Sequence, residues 1–159
     1  MKRSLYLLFA GIGLIIQLSA KAQDIPISKF DTRGFVVIDS FMTAIVNHPG
    51  DEQAAAIAAL PYIHRSEYNN SGTNLKQDRL DFSFKKAWQN AKFYKLSVEV
   101  TRIQKQNLTG IGFGNTAETG TAYKIWVAKK NGVAGLPAPL NVFFPANGSD
   151  PKLYYYGSL

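Results

Sequence analysis

Apolar positions recur at helical spacing through the first half of the chain and at alternate positions from Tyr94 onward, so helices are expected first and strands after them. Phe35, Ile38, Phe41, Met42 and Ile45 share one face of a helix over 34–46, with Asp31 or Thr32 available as its N-cap. Asn47-His48-Pro49-Gly50 ends that helix, because the ring of Pro49 disfavours helical geometry at the residue before it. Asp51 and Glu52 suit the positive end of a second helix, and Ala54 to Ala59 supply strong helix formers up to a kink or restart at Pro61. A short helical piece over 62–68 would place His64 and Tyr68 four residues apart on one face, closed by Asn69-Asn70-Ser71-Gly72. In a third helix, over 78–91, Leu80, Phe84, Ala87, Trp88 and Ala91 form an apolar stripe that carries two large aromatic rings.

Beyond that point Tyr94, Leu96, Val98 and Val100 alternate with Lys95, Ser97, Glu99 and Thr101, the pattern of a half-buried strand. Further strands are expected over 108–113, 121–129, 140–144 and 152–156, with Lys130-Asn131-Gly132 as a hairpin-type turn. Three helices followed by sequential antiparallel strands make an α+β domain, in which three N-terminal helices pack on one face of a curved, mainly antiparallel sheet. Ile125-Trp126-Val127-Ala128-Lys129-Lys130, Gly135-Leu136-Pro137-Ala138-Pro139, Val142-Phe143-Phe144-Pro145 and Tyr156-Gly157-Ser158-Leu159 look like the C-terminal half of small secreted members of the NTF2-like (cystatin-like, cone-shaped) superfamily from Bacteroidetes-type bacteria. The element order resembles that superfamily across the chain from residue 23 to its end. The resemblance implies a pocket between the inner helix faces and the concave sheet, holding an acid or base residue in the enzymatic members. No positions here match the Tyr and Asp of an isomerase-type site, and a fold that hosts isomerases, dehydratases, hydrolases and binding modules does not by itself name an activity.

Composition matters only after the first residues are read. Met1-Lys2-Arg3, an apolar run from Leu5 to about Leu18, and Ala20-Lys21-Ala22-Gln23 form the n-region, h-region and small-x-small cleavage site of a secretory signal peptide. Gln17 and Ser19 interrupt the run, which falls short of the roughly 20 apolar residues that cross a bilayer. Residues 1–22 are therefore expected to be cleaved, leaving 23–159 as a single domain, secreted or periplasmic, with no membrane anchor. Lys2, Arg3 and Lys21 leave with the leader, so 18 basic residues against 11 acidic become 15 against 11, and the net charge falls from +7 to +4. The remaining Lys and Arg are scattered, without the basic stripe that nucleic acid requires. The chain has no cysteine, which excludes disulfides, thiolate metal sites, a cysteine nucleophile and a lipidated cysteine.

Candidate chemistry is sparse. His64 with Tyr68, and Glu67 beside them, is the best polar cluster, since a histidine exchanges protons near neutral pH and a tyrosine can hold a carbonyl oxygen. The competing interpretation is a histidine at a helix end with Tyr68 filling the core edge. His48 and His64 are the only histidines and lie on separate elements, so no metal-ligand set is expected. Gly110-Ile111-Gly112-Phe113-Gly114 has no helix after it to receive a phosphate, so its glycines mark a bulge or a close backbone approach, and no cofactor is expected. No G-x-S-x-G elbow is present. Trp88, Tyr94, Trp126 and Tyr155 are the candidate ligand-binding rings, while Phe143 and Leu153 are expected in the core. Two functions follow: a non-catalytic module that binds a small apolar ligand or a protein partner, a second copy through the sheet included; or a lyase, isomerase or hydrolase using His64 and Tyr68 with a carboxylate. Convergence of His64 with Asp39, Glu99 or Glu118 in a closed pocket would favour the enzyme, and a pocket lined by rings alone would favour binding.

Overall fold

The computed structural model describes residues 22–159, so the expected leader lies outside the described residues apart from Ala22. Three helices, α1 (Arg33–Val46), α2 (Glu52–Ala59) and α3 (Lys85–Asn90), combine with six strands in an α+β architecture. The strands are β1 (Gln23–Asp24), β2 (Val100–Lys105), β3 (Gly110–Ile111), β4 (Glu118–Val127), β5 (Ala138–Pro145) and β6 (Lys152–Tyr155). Every pairing between them is antiparallel. β4 is the spine of the sheet, with β2 and β3 in succession along one side and β5 along the other; β1 lies outside β2, and β6 outside β5.

Local chemistry accounts for the helix boundaries. Ile38, Phe41, Met42 and Ile45 repeat on one face of α1 and are buried, while Phe35 is half-buried with its ring 5.2 Å from that of Phe30. The Asp31 carboxylate accepts from the Arg33 N–H at 2.9 Å, one of the donors that a helix start leaves without a partner. At the other end the His48 imidazole donates through Nδ1 to the Ala44 carbonyl at 2.9 Å. The Asp51 side chain caps α2 by accepting from the Ala54 N–H at 2.9 Å. Pro61 restarts the chain as a single 3₁₀ turn, Leu60–Tyr62. The third helical stretch opens with π geometry over Arg79–Phe84 before α3, and it buries Phe84, Ala87 and Ala91 while leaving Leu80 and Trp88 half-buried.

Three sequence expectations are corrected. Segment 62–68 is not a helix: Ile63 forms a parallel bridge with Leu153, the His64 N–H donates to the Leu153 carbonyl at 2.7 Å, and only Arg65–Glu67 turn. The edge of β6 offers backbone partners that an isolated helical turn cannot match. The alternation from Tyr94 does not make a strand before Val100, because the Asp39 carboxylate of α1 takes the Val98 N–H at 2.6 Å and so removes a ladder donor. The strand expected over 108–113 shrinks to Gly110–Ile111, since Gly112 at φ +78° reverses the chain. A Cβ on Gly112 would lie 2.2 Å from the Thr116 carbonyl oxygen, so the close-approach interpretation of these glycines holds there. The Asn131-Gly132 turn forms, with Gly132 at φ +83°, inside a longer connection between β4 and β5.

The main core joins the buried face of α1 to Ile103, Ile125, Val127, Leu140, Val142 and Leu153 of the sheet. Tyr156 closes one end of it, its ring 5.3 Å from Phe41 and 6.3 Å from Phe84. Phe143 and Ala122 are directly paired across β5 and β4 and have no exposure, yet neither belongs to that cluster. They alternate with the core residues, so at this point the sheet is covered on both faces.

Candidate functional site

Two turns face each other across a surface cleft of about 600 Å³, lined on one side by the 65–76 segment and on the other by Phe113, Asn115 and Thr116. The first turn is organised by Asn69, whose side-chain oxygen accepts from the Ser71 hydroxyl at 3.0 Å and the Thr73 N–H at 3.2 Å. A bridge between Tyr68 and Leu75, together with a 2.8 Å bond from the Asn69 N–H to the Asn74 carbonyl, zips its base. The second turn follows β3, where the Thr116 hydroxyl both accepts from the Phe113 N–H at 3.2 Å and donates to the Phe113 carbonyl at 2.9 Å.

Behind the cleft lies His64, buried at 1% exposure, its ring centroid 6.0 Å from that of Phe143 in an edge-to-face arrangement. Its Nδ1 accepts from the Ser66 N–H at 3.2 Å and faces the Ser66 hydroxyl at 2.8 Å. The neutral imidazole therefore carries its proton on Nε2, which points toward the Glu118 carboxylate 3.6 Å away, an electrostatic contact longer than a hydrogen bond. Glu118 also meets Arg65 at 3.5 Å. Burial is the main influence on His64 and holds its pKa below the ordinary value; Glu118 opposes that effect and Arg65 adds to it.

The partners differ from those expected on a helical face. The Tyr68 hydroxyl rests against the carbonyls of Leu60 and Ile63, and burial raises its pKa. Glu67 pairs with Arg79, and no hydrogen bond joins Tyr68 to His64 among the described residues. Of the carboxylates considered for convergence, Asp39 holds the Val98 N–H and Glu99 meets Lys95 at 3.3 Å, which leaves Glu118 as the one the fold delivers. Glu118 is among the three carboxylates named from the sequence, but only the start of β4 singles it out by bringing it across. Ser66 was missed, although its His-x-Ser spacing is the local signal that could have found it.

Ser66, His64 and Glu118 lie in the order of a nucleophile, base and orienting carboxylate. The backbone around them works against that use. The N–H groups of Ser66, Glu67 and Tyr68 donate to His64 Nδ1, the His64 carbonyl and the Arg65 carbonyl respectively, so none is free to bind an oxyanion beside Ser66. The Ser66 hydroxyl also competes with its own N–H for one lone pair of Nδ1. The arrangement caps the 3₁₀ turn and anchors the cleft wall to the sheet.

The four aromatic candidates do not gather. Trp88 donates through Nε1 to the His48 carbonyl at 2.8 Å and walls a separate cleft of about 270 Å³ with Ile45, Val46, Pro49 and Lys92. Tyr94 is buried and contributes to another cleft with Pro137 and Leu159. Trp126 alternates with core residues and so lies on the opposite face of the sheet, with the Arg102 guanidinium 4.8 Å and the Lys124 ammonium 5.1 Å from its ring centroid. Tyr155 is exposed, its hydroxyl 3.3 Å from that of Ser158. Among the described residues no three His, Asp or Glu side chains group as metal ligands, and no helix is long and apolar enough to cross a membrane. Comparisons with protein-family models, curated proteins and solved structures return no match.

The environment of His64 predicts a pH dependence. The unfolded chain takes up this proton near pH 6.5, whereas the folded protein does so only at lower pH. The stability contributed by neutral His64 is therefore complete above that range and is lost as pH falls from it through the folded pKa. Urea unfolding between pH 7.5 and 5 should weaken by at most about 1.4 kcal/mol per pH unit from this group, and His64→Gln should flatten the slope. Equal slopes in the two proteins would assign the effect to another group.

Proposed function

We propose that the chain is an exported, non-catalytic binding module of the NTF2-like kind, and that its ligand or protein partner sits in the cleft between the 65–76 segment and the 113–116 turn. Export is supported by the leader pattern. The carrying observation is the contrast between interior and surface. Where a cone pocket would lie between helices and sheet, Ile38, Phe41, Met42, Phe84, Leu140 and Val142 have no exposure, so the space is packed with side chains. The 600 Å³ cleft instead falls within the range of small-ligand sites, roughly 300–1,000 Å³, and mixes rings, amides and cations.

Amide chemical shifts of the full chain, recorded against a panel of short saccharides, carboxylic acids and peptides, should move first at residues 65–76 and 113–116. Shifts centred on the core strands and α1 would overturn the surface assignment.

The enzymatic alternative draws on one observation, the Ser66–His64–Glu118 alignment. A fluorophosphonate probe labels serines that a base activates. The binding proposal expects Ser66 to remain unlabelled, and stoichiometric labelling abolished by His64→Ala would replace it with a hydrolase.

A further inference from the structure

We infer that the ligand of this cleft is a uronic-acid oligosaccharide, a sugar chain bearing carboxylates; the inference rests on the cleft being the binding seat. Phe113 is 92% exposed, and its turn, which Gly112 and Gly114 permit at φ +78° and +56°, is held by the two Thr116 hydroxyl bonds. A flat apolar ring held outward on an ordered turn offers a stacking surface at little further conformational cost. The C–H face of a pyranose matches such a surface.

The polar groups narrow the class. Asn70 and Asn115, one from each wall, make no side-chain hydrogen bond within the protein among the described residues, so each amide offers both a donor and an acceptor to neighbouring hydroxyls. Arg65 is already shared with Glu118 at 3.5 Å. Lys76 is different: its ammonium donates to the Ser66 carbonyl at 2.6 Å and enters no ion pair among the described residues. An ammonium that keeps donors to spare across the cleft from a stacking ring selects a carboxylate carried on a sugar. A neutral saccharide would leave that charge unmet, and an acidic peptide would leave the ring and the amides without matching hydroxyls.

The test is calorimetric titration of the full chain with tetragalacturonate, its methyl ester and a tetraglutamate peptide. Tetragalacturonate should bind; Phe113→Ala and Lys76→Gln should each weaken it by about tenfold, as expected for loss of one stacked or charged contact, and esterification should cost a similar factor. Phe113 is almost wholly exposed, so its replacement leaves the fold intact and reports on binding. Absence of tetragalacturonate binding at millimolar concentration, equal affinity for the methyl ester, preference for tetraglutamate, or indifference to Phe113→Ala overturns the inference. Binding of the ester or the peptide as tightly as tetragalacturonate, still dependent on Phe113, overturns the sugar-acid class while keeping the cleft as the seat. Tetragalacturonate binding that no cleft variant alters overturns both.

Discussion

Replacing Phe143 by alanine is expected to lower the free energy of unfolding by about 3–5 kcal/mol, the cost of deleting a fully buried phenyl ring. The effect should equal that of a main-core ring even though Phe143 stands outside the main cluster. Its side chain projects from β5 on the face opposite Val142, over Gly120 and against the edge of His64. With no exposure it has the packing of an interior residue, and its loss would open a cavity that also borders the buried imidazole. Denaturant unfolding measures the change. A loss below about 1 kcal/mol would mean that this face of the sheet is open to water.

Gly120→Ala should destabilise by about 1–3 kcal/mol for a purely steric reason. A Cβ at this position would stand 2.1 Å from the Phe144 carbonyl oxygen and 2.7 Å from the tip of the Phe143 ring. The ring could rotate, but the carbonyl belongs to the β4–β5 ladder and can yield only if the pairing of Gly120 with Pro145 shifts. Gly120→Ala should therefore still be costly in a Phe143→Ala background: the ring contact disappears while the backbone contact persists. Thermal and urea unfolding of the two single variants and the double variant test this. If Gly120→Ala costs nothing in the Phe143→Ala background, the ring, and not the backbone, is the obstacle.

Much of the helical half was legible because its determinants are local. The repeat from Ile38 to Ile45, the carboxylate of Asp51 before a run of alanines, and the stop at Pro49 all act within a few residues. The order of the strands was legible too, since alternation and turn residues mark them. The alternation from Tyr94 to Val100 failed for a non-local reason: Asp39, far away on α1, holds the Val98 N–H. At the site, Glu118 was one of three carboxylates named for His64, and only the placement of β4 selects it; Ser66, two residues from His64, went unnamed although its signal is local. Trp126 was read as a candidate ligand-binding ring, and alternation could not reveal that it would lie on the face opposite Ile125 and Val127 with Arg102 and Lys124 flanking it. Nor could residue type alone indicate that Phe113, in a glycine-rich run, would stand almost wholly in solvent.

The contact of Ile63 and His64 with Leu153 also governs how this molecule meets others. An outermost strand with a row of free N–H and C=O groups is a template on which another chain can add itself and propagate. Here the protein lays its own segment against β6, while the other boundary, β1, is two residues long and carries Asp24 clamped to Arg102 at 3.0 Å. Both borders of the sheet thus discourage strand addition. Loosening His64 from β6 would do more than disturb a capped turn: it would uncover a seed for polymerisation.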